Sequence, residues 1–189
     1  MVYLVISDIH GCASNLKTVL EAFENKYDGI ICCGDFLYHG PRNGVPAEYD
    51  PKETMALLEK IRGRIVGVRG NCDGEVDQMV LNFPLLSDNQ TLPFMKKGEM
   101  KKIFIHHGHK YSNEELMRLI PEGSVIVSGH THVTVLKQAD GYIWLNPGSV
   151  SLPKCEDGKT CALLEITETG TVKIELRKIT GEIIKSLEA

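Results

Sequence analysis

No apolar run in these 189 residues approaches the roughly 18–20 residues that a membrane-crossing helix needs, so no transmembrane helix is expected. A basic excess is missing as well. Lys and Arg total 21 against 25 Asp and Glu, which leaves a net charge of −4 and a pI near 6.0. Gripping a long nucleic-acid backbone normally takes a basic face, so no strong nucleic-acid partner is expected. A small anionic substrate remains compatible, because bound cations can reverse the local field. The six cysteines (Cys12, Cys32, Cys33, Cys72, Cys155, Cys161) contain no C-x-x-C pair, which argues against a structural zinc site. A disulfide scaffold is not expected of a cytosolic chain of this size. Cys32 and Cys33 lie in the apolar run GIICCG and read as small buried hydrophobes. Linkers, internal repeats and low-complexity tracts are absent too, and residues 1–189 read as one domain. The opening MVYLVISDIHG has neither a basic segment nor a small-residue cleavage site. It reads as a strand and not a signal peptide, with the cytoplasm as the default compartment.

What is present begins with an α/β alternation. VYLVIS (2–7) is a continuous apolar, β-branched run, of the kind buried on both faces of a parallel sheet. Ser14 precedes NLKTVLEAF, where Leu16, Val19, Leu20 and Phe23 recur at helical spacing, so Ser14 reads as an N-cap. A second strand covers 29–33, a second helix opens at Pro51 and carries Met55, Leu57, Leu58 and Ile61, and a third strand covers 64–68. The βαβαβ order predicts a largely parallel sheet with helices on its faces. Further on, strand-like runs near 90–95, 102–107, 124–128, 133–138, 142–146, 160–167 and 171–179 are separated by turns such as Lys97-Gly98 and Asp140-Gly141. A short helix covers 112–120, and MKKGEMKK (95–102) reads as a solvated hairpin. The fold class that follows is α/β: a two-layer β-sandwich of mixed sheets flanked by helices.

Polar residues gather where the apolar runs stop. Asp8-Ile9-His10 follows the first strand, Gly34-Asp35 the second and Gly70-Asn71-Cys72-Asp73 the third; His106-His107-Gly108-His109 and Gly129-His130-Thr131-His132 follow later ones. Carboxyl ends of parallel strands converge on one rim, where ligands bind. In an extended segment residues i and i+2 project to the same side, so D-x-H aims a carboxylate and an imidazole at one point, and H-x-H aims two imidazoles. His106 and His107, being adjacent, face opposite ways, and only one of them can ligate directly. Imidazole, carboxylate and amide ligands without a thiolate suit manganese, iron, nickel or zinc in an open site.

The ordered set D-x-H, G-D, G-N-x-D, H-G-H and G-H-T-H resembles the calcineurin-like metallophosphoesterase superfamily. More finely, HGPRN (39–43), the RGNCD stretch (69–73) with the EVDQM that follows Gly74, and NPGSVSLP (146–153) resemble the YfcE-type bacterial phosphodiesterases, over residues 1 to about 154. The resemblance implies a four-layer α/β/β/α fold and two divalent ions, manganese first, with zinc, iron or nickel as alternatives. One ion would be held by Asp8, His10 and His132, the other by Asn71, His107 and His130, with Asp35 bridging. It also implies hydrolysis of small phosphodiesters by a metal-bridging hydroxide, with Asp35, Asn71 and His107 in the catalytic centre. Two divalent ions outweigh the carboxylates of Asp8 and Asp35, and even with the hydroxide the site keeps a charge of about +1, which attracts phosphate.

Around this set the sequence leaves choices open. His39 and Arg42 follow Asp35 in a loop and either contact the substrate phosphate or, for His39, are simply structural. His109 shares the parity of His107 and reads as an outer-shell or proton-transfer residue. Asn146, Gly148 and Ser149 form a turn that lines the pocket or closes the sheet. Many superfamily members carry G-N-H-[DE], whereas here Cys72 replaces that histidine, and a thiol is a poor acid beside an imidazolium. Cys72 is therefore read as facing the substrate, and the protein is expected to favour diesters with an acidic leaving group. The alternatives are a phosphomonoesterase using the same ions, or a non-catalytic scaffold like the retromer subunit that shares the fold. Association with further copies of the chain is left open.

Overall fold

The computed structural model describes residues 1–189. Eleven strands form two mixed sheets. The first holds β1 (Val2–Ile6), β2 (Gly29–Cys32), β3 (Ile65–Gly67), β9 (Thr160–Ile166), β10 (Val172–Lys178) and β11 (Ile183–Glu188), in the order β11-β10-β9-β1-β2-β3. The second holds β4 (Asn89–Lys96), β5 (Glu99–His106), β6 (Val125–Val127), β7 (Thr134–Ala139) and β8 (Tyr142–Pro147), in the order β4-β5-β6-β8-β7. Parallel pairing joins β1 to β2 to β3, and β5 to β6 to β8; the remaining pairs are antiparallel.

Alternation along the strands sorts the core into three layers. In β1, Leu4 and Ile6 turn toward α1 (Ala13–Ala22) and α2 (Pro51–Ile61), while Val5 turns into the gap between the sheets. In β2, Ile30 and Cys32 divide from Ile31 in the same way. From the second sheet, Ile103, Ile105, Val125 and Val127 meet that gap, while Phe104 and Ile126 pack on the outer side with Leu116 of α4 (Asn113–Leu119). Each such aliphatic side chain contributes roughly 1.5–3 kcal/mol by leaving water. All six thiols are free, with Cys32 and Cys33 fully buried among these apolar neighbours.

Three expectations change. Helix α1 begins at Ala13, and Cys12, not Ser14, is its N-cap, with no side-chain hydrogen bond. The helix entry is fixed instead by a left-handed turn at Gly11 and a backbone bridge from Cys12 to Tyr49. A short helix α3 (Glu75–Val80) and the edge strand β11 were not anticipated. Both bury little: Val76 and Met79 are exposed, and so is Ile183, so neither segment shows a clear buried stripe.

Candidate metal centre

Five strand ends deliver the polar clusters. Asp8 and His10 follow β1, Asp35 follows β2, Asn71 follows β3, His107 follows β5, and His130 and His132 follow β6. The convergence does not come from strand parity. Asp8, His10, Asp35, His130 and His132 all have positive φ, from 49° to 68°, in the left-handed region that few L residues occupy. The chain has therefore left the extended form before these residues, and each aims its side chain from a tight turn. Such backbone costs of order 1–3 kcal/mol per residue and persists where the surroundings over-determine it, characteristically at functional sites. The two histidines of H-x-H also part company, one going to each half of the site.

In the first half, His10 Nδ1–H donates to the Tyr38 carbonyl at 2.7 Å, and His132 Nδ1–H donates to the Leu152 carbonyl at 2.5 Å. Each ring thus presents a bare Nε2, and the two Nε2 atoms stand 3.3 Å apart. Asp8 Oδ2 accepts from the Ser7 hydroxyl (2.6 Å) and the His130 backbone N–H (3.0 Å). Its Oδ1 is buried without a hydrogen bond, 3.2 Å from His132 Nε2 and 3.8 Å from His10 Nε2. Three lone-pair atoms facing one another in buried space require a positive charge between them, and a divalent ion fits the donor set. Without one, a proton does the same work. Burial drives the Asp8 carboxyl up, but His132, His107 and Ser7 outweigh it and hold the group below the usual carboxylate range. Burial pushes His132 down, but Asp8 outweighs it and raises the ring. For His10, burial wins and lowers the ring.

The second half is built around Asn71. Its Oδ1 lies 2.6 Å from His130 Nδ1 and 3.0 Å from His107 Nε2. The Cys33 carbonyl accepts His107 Nδ1–H at 2.6 Å and so turns Nε2 inward. Asp35 links the halves, with one oxygen, Oδ2, 3.6 Å from His10 Nε2 and 3.6 Å from His107 Nε2. His106, by contrast, turns away to pack against Phe104 and Tyr111.

Sequence reasoning gave no bracing role to Asp73 and left that of Asn146 and Ser149 open. Asp73 is buried and accepts three backbone N–H bonds, from Asp35 (2.8 Å), Phe36 (2.8 Å) and Gly70 (2.7 Å). It staples the end of β2 to the end of β3. Burial and then the Asp35 charge push its carboxyl up to about 6, against the pull of those three donors. Asn146 donates to the Gly129 carbonyl (2.8 Å) and to Thr131 Oγ1 (3.1 Å), and the Ser149 hydroxyl donates to the Asp8 carbonyl (2.8 Å). The turn at 146–149 therefore braces two ligand loops from behind. The carbonyls of Cys33, Tyr38 and Leu152 carry no side-chain signal that a sequence could display.

This arrangement has recognisable relatives. The profile of the calcineurin-like phosphoesterase superfamily domain matches residues 1–169. The chain belongs to that superfamily. It is 34% identical to phosphodiesterase YfcE of Escherichia coli (strain K12) over 184 residues, covering 97% of each chain. The solved structure of Yfce, a phosphoesterase from E. coli, superposes with a TM-score of 0.88 at 33% identity, over 99% of this chain and 98% of that one. Vps29 of Entamoeba histolytica, at 21% identity and a TM-score of 0.64 over all of this chain and 98% of its own, shares the fold.

Beside the ligands this superfamily member has a polar cleft of about 720 Å³, whose wall includes Tyr38, Arg42, Asn43, Cys72 and Lys154. Cys72 occupies the G-N-H-[DE] histidine position, and burial and the Asp35 charge push its thiol up to about 12. Arg42 lies on the cleft wall and His39 does not. The His39 ring packs between Tyr38 (4.8 Å) and Tyr49 (5.3 Å, edge-on). His109 is exposed and flanks the second half, its ring 5.3 Å from His107 and 6.0 Å from His130. Burial, followed by those two neighbours, lowers its pKa. Lys154 was missed because its place is set by a bond distant in sequence, its N–H donating to the His132 carbonyl at 2.9 Å.

Proposed function

We propose that this protein is a metal-dependent phosphodiesterase that acts on small phosphodiesters, with residues 1–189 working as one domain. The observation that carries this reading is the pair of three-ligand clusters sharing Asp35 Oδ2. Asp8, His10 and His132 would hold one divalent ion and Asn71, His107 and His130 the other, with Asp35 between them. Manganese is the first candidate, and zinc, iron and nickel suit the same donors. When bound, the ions supply Lewis acidity toward phosphoryl oxygens and a nucleophile drawn from water.

The chain's own residues do the rest. Backbone carbonyls keep His10, His107 and His132 in the tautomer that offers Nε2. Arg42 and Lys154 add positive charge along the cleft, where an anionic substrate enters. His109 stands beside His107 and His130 at the edge of the site, the place of an outer-shell residue. Cys72 faces the substrate and offers a thiol where an imidazolium would protonate a leaving group. The absence of a membrane-spanning helix and the free thiols agree with a cytoplasmic setting.

The test is a series of diesters with leaving groups of graded pKa, assayed with Mn²⁺ beside a monoester of matching leaving group. Rates should fall steeply as the leaving group becomes more basic, with diester turnover above monoester turnover. A flat dependence removes the role given to Cys72, and faster monoester turnover makes the protein a phosphomonoesterase.

A further inference from the structure

One more ligand-type atom lies within reach of the ions. Cys72 Sγ, a ring nitrogen of His10 and a carboxylate oxygen of Asp35 all fall within 4.8 Å of one another, a spacing at which a single cation touches all three. Two further contacts fix the sulfur there. The Cys72 N–H donates to Asp35 Oδ1 at 2.8 Å, tying the residue to the shared carboxylate. Asn71 Nδ2 donates to Sγ at 3.2 Å, while Oδ1 of the same amide faces His107 and His130. A thiol binds metal as its thiolate, and a coordinating cation deprotonates it outright. On the far side Gly40 comes so close that a Cβ there would stand 3.3 Å from Sγ.

We infer that Cys72 gives the centre a second coordination mode, in which a thiophilic divalent ion of the zinc–cadmium class is held by Cys72 Sγ, His10 and Asp35. The thiol proton leaves to solvent as the sulfur–metal bond forms, and no redox change is involved. The inference rests on His10 and Asp35 being metal ligands, as proposed above. Thiolate ligands select soft ions, whereas carboxylate and imidazole alone suit manganese, so the same residues sort cations by softness. An ion held this way shares His10 and Asp35 with the paired arrangement, so the two modes compete.

Protein stripped of metal by chelation is titrated with Cd²⁺, and the ultraviolet thiolate-to-cadmium charge-transfer band is recorded. The band should saturate at one equivalent in the wild type, disappear in Cys72→Ser, and persist in Cys155→Ser, whose thiol is also partly exposed. Cadmium NMR of the wild type should show a sulfur-shifted resonance, which reads the ligation even if Cys72→Ser fails to fold. The Cys72→Ser change should weaken Cd²⁺ binding by at least about tenfold more than Mn²⁺ binding. A band that survives Cys72→Ser, a band lost in Cys155→Ser, or Cd²⁺ bound with no sulfur signal would overturn the inference. Mn²⁺ binding, read by thermal shift, separates the two claims. Mn²⁺ bound without a cadmium–sulfur signal removes only the second mode, whereas no Mn²⁺ binding removes the dinuclear reading and this inference with it.

Discussion

Gly70 sits so tightly against Asp35 that a Cβ there would overlap both the carboxylate and the backbone nitrogen. Neither can move without breaking the bonds to Cys72 and Asp73. Gly70→Ala should therefore destabilise the protein by about 1–3 kcal/mol, as overpacking does, and remove most activity. Denaturant melts and turnover measured together would check it; a stable, active variant would show that the loop has slack. Asp73 makes a sharper case. Removing it leaves three buried N–H groups without acceptors, each costing roughly 1–3 kcal/mol. Asp73→Ala should lose both stability and Mn²⁺ affinity, the latter about 10–100-fold, while Asp73→Asn, which keeps an acceptor oxygen, should lose less. Equal losses in the two variants would mean that the carboxylate acts through its charge and not as a backbone anchor.

Helix α2 shows how much of an element can be local. Asp50 accepts from the Glu53 N–H at 3.0 Å and Pro51 follows at the first helical position, so the start is specified by residues beside it. Asp50→Ala should cost about 1 kcal/mol in unfolding free energy and leave metal affinity unchanged. A change in metal affinity would show that α2 is coupled to the centre. The strands were legible because alternation and continuous β-branched runs report burial directly, as in Val2–Ile6 and Val125–Val127. Elements that bury little were not. Helix α3 leaves Val76, Met79 and Val80 exposed, and β11 is an edge strand with only part of one face packed. In such segments apolar residues do not follow the period of the structure they adopt.

At the scale of the whole molecule, the two sheets bring together proposed ligands as far apart in sequence as Asp8 and His132, which lie 3.2 Å from each other. Metal binding is then linked to folding, because the unfolded chain has no such cluster. Chelation should lower the melting temperature and abolish turnover, and Mn²⁺ should restore both. Free Mn²⁺ at 100 times its Kd stabilises by about 2.7 kcal/mol, a shift of roughly 5–10 °C for a chain of this size. Calorimetry with and without chelator measures it, and an unchanged melting temperature would count against a metal that bridges the sheets.

The sequence by itself determined which residue types stand at which strand ends, since a polar cluster that stops an apolar run is written in the order of the chain. It also determined the layered α/β architecture, because hydrophobic period is a local property. Only the tertiary structure decided how those clusters converge. Left-handed turns at five site residues, not strand parity, aim the side chains, and they are held by Asp73, Asn146 and Ser149 from elsewhere in the chain. The tautomers of His10, His107 and His132 likewise depend on backbone carbonyls up to 74 residues away. A backbone carbonyl has the same chemistry at every residue, so only its position in space gives it a role. For the same reason Cys72, legible as a missing acid, became a candidate metal ligand only once the fold set its sulfur beside His10 and Asp35.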